Sequence, residues 1–180
     1  MVGVIFQCIF KYRISSFPWL VNMRKARKEI KDKAQINEIL ANAHNGRLGT
    51  IGKDGYPIIK PLNFIHTGAH IYFHSAIEGE KIEDILRDNR VCFEVDVPLR
   101  YVKAKSDPCR AFYNYRSVIL KGRAEIIKDS KEKRIALKAL MEKYQPEGGY
   151  DDFPKAKLSI TAVIRIDIEV MTGKEDITER

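Results

Sequence analysis

Seven residues in the middle of the chain, Ser75-Ala-Ile-Glu-Gly-Glu-Lys81, have the residue types of an anion site. His74 ends a β-rich stretch just before them, and Ser75 offers a hydroxyl. Gly79 opens a helix whose first amide groups have no internal partners. Lys81 falls in that first turn, where a cation meets the positive end of the helix dipole. A bound anion reverses the sign, because the free amides, Ser75 and Lys81 then converge on it. The plain alternative is a solvated lysine offset by Glu78 and Glu80. His74 is the candidate for a polar, proton-donating group near a reacting ligand. Equally, it is a residue that only fixes the loop by hydrogen bonding.

Other candidates are weaker. Tyr113-Asn-Tyr-Arg-Ser117 places two tyrosines and an arginine at a strand start. That segment either stacks on and clamps a planar anionic ligand or is a sheet edge facing solvent. Cys109, beside Arg110, reads as an activated thiol or, more commonly, as a small buried apolar residue. His66, His70 and His74 are four apart, but they lie in a β-rich stretch with a Thr-Gly turn. Helical ligand spacing therefore does not apply, and no metal site is expected. Neither a P-loop, a dinucleotide glycine motif nor a nucleophile elbow is present.

Asp32 with Gln35 marks a helix start, followed by Ile36, Ile39, Leu40 and Ala43 at helical spacing and stopped at Asn45-Gly46. Arg47–Ile51 and Pro57–Ile65 read as strands joined by the Lys53-Asp54-Gly55 turn, and Ile71–His74 as a third. A short helix follows with Ile82, Ile85 and Leu86 on one face, ended by Asn89. Arg90–Val97 is a fourth strand, and Pro98–Arg110 a basic irregular connection. Tyr113–Ile127 is a long fifth strand with a bend or bulge at Gly122. Asp129 and Glu132 cap a helix with a stripe of Leu137, Leu140, Met141 and Tyr144. Gln145–Lys157 is a loop, and Ala162–Val170 alternates as a half-buried strand. Six strands with helices inserted between them predict a mainly β, α+β fold: a six-stranded antiparallel barrel, closed or nearly closed, with peripheral helices.

The 180 residues suit one domain. A formal net charge of +8 favours an anionic ligand or surface. The three cysteines, Cys8, Cys92 and Cys109, are far apart and form no disulfide framework, which points to the cytoplasm. The run Met1–Phe10 is too short to span a bilayer and lacks the features of a secretory signal. Residues 1–22 read as an N-terminal extension, either an apolar arm that packs on the domain or a partner subunit or an upstream stretch that a natural start at Met23 would omit, with residues 23–175 as the domain and 176–180 as a tail. The basic run Arg24–Lys33 lacks interleaved aromatics and reads as a solvated face. Neither nucleic acid nor membrane is an expected partner.

Taken in order, these segments resemble the flavin mononucleotide-binding split barrels related to pyridoxamine 5′-phosphate oxidase, and within them the branch of nitroimidazole-resistance proteins. The resemblance runs from Met23 to about Met171. It rests on Met23-Arg-Lys-x-Arg-x-Glu-Ile30, Gly46-Arg-Leu-Gly-Thr50, Asp54-Gly-Tyr-Pro57, Pro61-Leu-Asn-Phe64, Ile71-Tyr-Phe-His-Ser-Ala76 and Glu78-Gly-Glu-Lys81. Arg90-Val-Cys-Phe-Glu-Val-Asp96, Tyr115-Arg-Ser-Val118 and Gly122-Arg-Ala124 complete it.

The resemblance implies a homodimer with one FMN at each of two sites between subunits. The backbone of Pro61, Leu62, Asn63 and Phe64 would run along the isoalloxazine ring. His74, Ser75 and Ala76 would meet the ring edge and ribityl chain, and Lys81 the phosphate. Tyr115, Arg116 and Ser117 would approach from a strand near the dimer interface. It further implies an FMN-dependent reductase, taking electrons from NADH, NADPH or another donor to a small organic acceptor, nitroaromatic compounds included. The alternative is a non-catalytic flavin- or haem-binding module. Pyridoxamine phosphate oxidation is disfavoured, because the tail Thr172–Arg180 lacks the tryptophan of that enzyme's substrate motif.

Overall fold

A computed structural model of the chain describes residues 25–177. The expected extension 1–22, with Met23, Arg24 and the last three residues, lies outside the described residues. Strands are β1 (Glu29–Ile30), β2 (Gly46–Ile51), β3 (Pro57–Leu62), β4 (Ile65–Thr67), β5 (His70–Ala76), β6 (Arg90–Val102), β7 (Phe112–Ile126) and β8 (Thr161–Asp176). Helices are α1 (Lys33–Asn42), α2 (Glu80–Arg87), α3 (Ser130–Tyr144) and α4 (Lys155–Ser159). All strands join one antiparallel sheet in the order β3-β2-β6-β7-β8-β5-β4, with β1 added to β8. The sheet curls but does not close, as a split barrel requires, since β3 and β4 are its two unpaired ends.

The strand count is eight rather than six. A two-residue strand such as β1 leaves no periodic signal. The run expected as one strand over 57–65 breaks at Asn63-Phe64, where the chain leaves β2 to pair with β5. Strand β6 continues to Val102 through a register shift at Pro98, so the first part of the expected irregular connection is paired with β7. Proline reads as a strand end, but the shift places it where the ladder is interrupted. Strand β8 runs well past Val170. The bulge expected at Gly122 is present, and a Cβ there would lie 2.2 Å from the Asp167 carbonyl oxygen.

The caps follow the sequence in part. Asp32 accepts from the Ala34 amide and Asp129 from the Glu132 amide. Neither box closes reciprocally: Gln35 donates to Glu175, and Glu132 accepts from Tyr72 and Arg165. Helix α1 ends at Asn42, and Gly46 already belongs to β2.

Two apolar clusters fix the layers. Inside the curl, Leu48, Phe64, Phe73, Phe93, Val118, Leu120 and Ile164 pack with Ile36, Ile39 and Leu40 of α1 and with Ile82 and Ile85 of α2. On the other face of β5 and β8, Tyr72 and Val163 pack against Ala136, Leu137 and Leu140 of α3. Met141 and Tyr144 are only partly buried. Leu86, expected on the buried face of α2, is 72% exposed, and Asp84 is buried in its stead.

Candidate functional site

The C-terminal end of β5 and the start of α2 form the candidate site. β5 is held on β8 with His74 opposite Val163 and Ser75 opposite Ala162. Gly79 then turns the chain at φ +109°, a left-handed conformation that glycine adopts without strain. Its carbonyl accepts from the Ile82 and Glu83 amides, which leaves the Glu80 and Lys81 amides at the helix mouth.

Lys81 Nζ lies 3.4 Å from Ser75 Oγ and 5.6 Å from the centre of the Phe73 ring. No carboxylate pairs with it among the described residues. Burial, and then the nearby charge of Lys60, push its ammonium below the ordinary lysine value. His74 is held below its ordinary value by partial burial and by the Lys81 charge, so its ring is neutral near pH 7. A half-buried ammonium on a hydroxyl, at a helix start with spare amides, fits a phosphate chemically.

Helix α2 is fixed in place by a buried pair. Asp84, 1% exposed, accepts from Thr50 Oγ1 at 2.8 Å and from Arg87 at 2.8 Å. Arg87 also donates to the Ile51 carbonyl. Burial alone would raise the Asp84 pKa, but the Arg87 and Thr50 bonds outweigh it and hold the carboxyl below its ordinary value. These contacts set the roll of α2, turning Leu86 outward and Lys81 toward Ser75.

Pro61 and Leu62 close β3, and Asn63 and Phe64 form the break before β4. Phe64 is fully buried against Phe93, at 5.0 Å between ring centres. Its amide donates to Tyr144 Oη at 2.9 Å, and that hydroxyl donates to the His44 carbonyl at 2.7 Å. Lys143 Nζ sits 3.9 Å over the Phe64 ring, with burial lowering its pKa to about 8.

Tyr115, Arg116 and Ser117 lie elsewhere. They pair with Asp176, Glu175 and Lys174 on β8, and Arg116 donates to Glu175 at 3.2 Å. Glu175 is twelve residues along β8 from Val163, the partner of His74, about 40 Å of strand. One subunit therefore gathers His74, Ser75, Ala76 and Lys81 at one end of β8 and sets Tyr115–Ser117 at the other. Nor is that segment a sheet edge, because β7 lies between β6 and β8.

Lys60 is the residue that sequence reading missed. It reaches from β3 to Glu80, with Nζ 2.6 Å from Oε2. Its signal was a lone cation on the strand face that also carries Ile58 and Leu62. Asp84 carried a similar signal, an acid among the apolar residues of an amphipathic helix.

Cys109 is exposed, in a turn capped by Asp107, so the buried reading does not hold. Among the described residues no group of three His, Cys, Asp or Glu could hold a metal ion. No helix among them is long and apolar enough to cross a membrane.

An open antiparallel split barrel with helices packed on it defines the class of protein. The family model for pyridoxamine 5′-phosphate oxidase matches residues 32–175, and the chain belongs to that family. Among solved structures, a candidate 5-nitroimidazole antibiotic resistance protein from Bacteroides thetaiotaomicron is 29% identical, with TM-score 0.73, covering 82% of this chain and 86% of that one. A flavocytochrome from Azotobacter vinelandii is 22% identical, with TM-score 0.77, covering 87% and 72%. An FAD- and haem-binding protein from Mycobacterium smegmatis is 17% identical, with TM-score 0.76, covering 84% and 74%. The last two show the shared fold. No curated protein sequence matches the chain.

Proposed function

We propose that the protein is an FMN-binding flavoprotein that works as a homodimer with one FMN at each of two subunit interfaces. In this reading it carries electrons from NADH or NADPH to a small organic acceptor, nitroaromatic compounds included. The observation that carries the reading is Lys81: a half-buried ammonium with no carboxylate partner among the described residues, resting on Ser75 at an open helix start. Family membership supplies the context, and the 29% identical relative named for nitroimidazole resistance supports the acceptor class. The placement of His74 and Tyr115–Ser117 at opposite ends of β8 supports the dimer, in which a second chain would bring the two segments to one ligand.

Bound flavin supplies the electron transfer, and the chain supplies binding and electrostatics. Lys81, Ser75 and the first amides of α2 hold the phosphate. The Pro61–Phe64 backbone, pinned by Tyr144, offers a fixed edge for the ring. His74, neutral near pH 7, carries a hydrogen on one ring nitrogen and can donate a hydrogen bond toward a ligand.

The test starts with the visible spectrum of purified protein before and after FMN addition, followed by FMN titration of the wild type and Lys81→Ala. A flavin spectrum that stays with the protein through gel filtration is expected. The substitution should weaken FMN binding by roughly 10- to 100-fold, the worth of a charge-assisted bond. Unchanged affinity in Lys81→Ala places the phosphate elsewhere, and protein that ignores FMN overturns the reading. A Soret band would favour the haem-binding alternative, whose support is the haem-binding relatives of the same fold. Failure to oxidise NADH or NADPH with nitroaromatic or quinone acceptors would leave a binding module.

A further inference from the structure

We propose that the far end of β6, β7 and β8 is a second binding site, where Tyr101, Tyr113 and Tyr115 form a stacking platform and Lys174 supplies the charge, and that it takes a planar, electron-poor aromatic carboxylate. The platform stands apart from the flavin reading; only its use by an electron acceptor rests on that reading.

Alternation along a strand sets Tyr113, Tyr115 and Ser117 on one face of β7. The register adds Tyr101, opposite Tyr113 on β6, and Lys174, opposite Ser117 on β8, to the same face. The shift between Pro98 and Arg100 is what brings Tyr101 there, since an unbroken ladder would set Arg100 opposite Tyr113. The Tyr101 and Tyr113 ring centres are 5.2 Å apart with their planes at 55°. Even so, the two residues are 51% and 58% exposed, so each keeps ring surface open to solvent. Lys174 Nζ lies 5.7 Å from the centre of the Tyr115 ring.

Charge and ring electronics select the ligand. Two carboxylates stand opposite this stretch of β7, and each has its own base: Asp96, opposite Ser117, pairs with Arg47, and Asp176, opposite Tyr115, pairs with Lys28. Lys174 touches the Tyr115 ring and has no carboxylate partner among the described residues. In the connection that follows β6, Lys103, Lys105 and Arg110 stand against Asp107 alone. This end of the sheet is therefore positive and attracts an anion. A phenol ring carries a negative face, so it stacks best on a ring depleted of electrons, as a nitro group makes it. A carboxylate on that same ring meets the Lys174 ammonium. In the homodimer proposed above, Tyr115–Ser117 approach the second copy's ligand, and the platform then holds the acceptor.

Binding of para-nitrobenzoate to the full chain without added flavin would be measured by equilibrium dialysis at neutral pH, for the wild type, Tyr113→Leu, Tyr101→Leu, Lys174→Met and Lys81→Ala. Tyr113→Leu should weaken binding about three- to tenfold, the worth of one aromatic contact. Tyr101→Leu should do the same and serves as the second variant if Tyr113→Leu folds poorly. Lys174→Met should weaken binding about three- to fivefold and remove most of its salt dependence. Cyclohexanecarboxylate, with the same charge and no aromatic ring, should bind about three- to tenfold more weakly than nitrobenzoate. Lys81→Ala should bind nitrobenzoate as the wild type does, which separates this site from the one beside β5. Wild-type protein that does not bind nitrobenzoate, or binds cyclohexanecarboxylate equally well, overturns the inference and leaves the flavin reading intact. So do folded variants at either tyrosine or at Lys174 with unchanged affinity, or a loss confined to Lys81→Ala. Protein that binds nitrobenzoate through the tyrosines but takes up no FMN overturns the flavin reading and leaves this inference standing.

Discussion

Asp84→Ala is expected to loosen the candidate site from a distance, without touching a ligand. The carboxylate is buried and accepts two hydrogen bonds, one from Thr50, itself 3% exposed, and one from the Arg87 guanidinium. Removing it leaves the Thr50 hydroxyl buried without its partner and Arg87 without its counter-charge. A charge-assisted bond is worth about 1.5–3 kcal/mol, and an orphaned buried hydroxyl costs about 1–3 kcal/mol. Arg87 is 38% exposed and recovers water in part, which places the total near 3 kcal/mol. For a domain of this size that corresponds to a fall in Tm of about 6–12 °C. The pH dependence follows from the sign of the shift. Asp84 is held below its ordinary value of 3.8, so its stabilisation is full above that value and is lost as pH falls through the lowered folded-state value. The gap between wild type and Asp84→Ala should therefore be constant from pH 5 to 7 and shrink in acid. Thermal melts from pH 7 down into acid, with FMN affinity measured alongside at pH 7, provide the assay. A Tm within 2 °C of wild type, by the same scaling, would refute the claim that this pair seats α2.

Two further outcomes concern the elements around the site. Tyr144→Phe removes the hydroxyl that accepts from the buried Phe64 amide, so stability should fall by about 2 kcal/mol. Hydrogen exchange at the Phe64 amide should accelerate, and unchanged exchange would show that the hydroxyl does not pin the β3–β4 break. His66 is pushed below its ordinary value first by burial, with the charge of Lys143 acting in the same direction and the Gly68 backbone bond opposing. The unfolded chain therefore takes up a proton as pH falls below 6.5 while the folded one resists, and stability drops over that window. His66→Gln should flatten the loss in urea midpoint between pH 7.5 and 5.5, and an equal loss in the variant would assign it to other groups.

Features whose physics is local were legible in the sequence. The alternation of Ile164, Ile166 and Ile168 with charged residues marked β8, because a half-buried strand exposes every second side chain. Asp32 and Asp129 marked helix starts, because a short side chain there bonds an amide two or three residues on. Ser75 and Lys81 could be placed side by side for the same reason, being six residues apart across one turn and the first turn of a helix. The bulge at Gly122 was legible because only glycine lets the β8 backbone come so close.

What the sequence could not decide is which distant segments meet. Lys60 and Glu80 are twenty residues apart, and Thr50 and Asp84 thirty-four, so no local pattern ties either pair. The break that divides β3 from β4 follows from the sheet order, which sends the chain from β2 to β5 at Phe64. The same order places Tyr115–Ser117 and His74–Ala76 at opposite ends of β8, although both segments read alike as ligand-facing strand residues. Residue types and spacing pointed to an antiparallel barrel with peripheral helices and to a candidate anion site at Ser75–Lys81. Tertiary packing decided which groups stand beside that candidate site and which lie far along β8, because long-range pairing alone sets distances between residues remote in the chain.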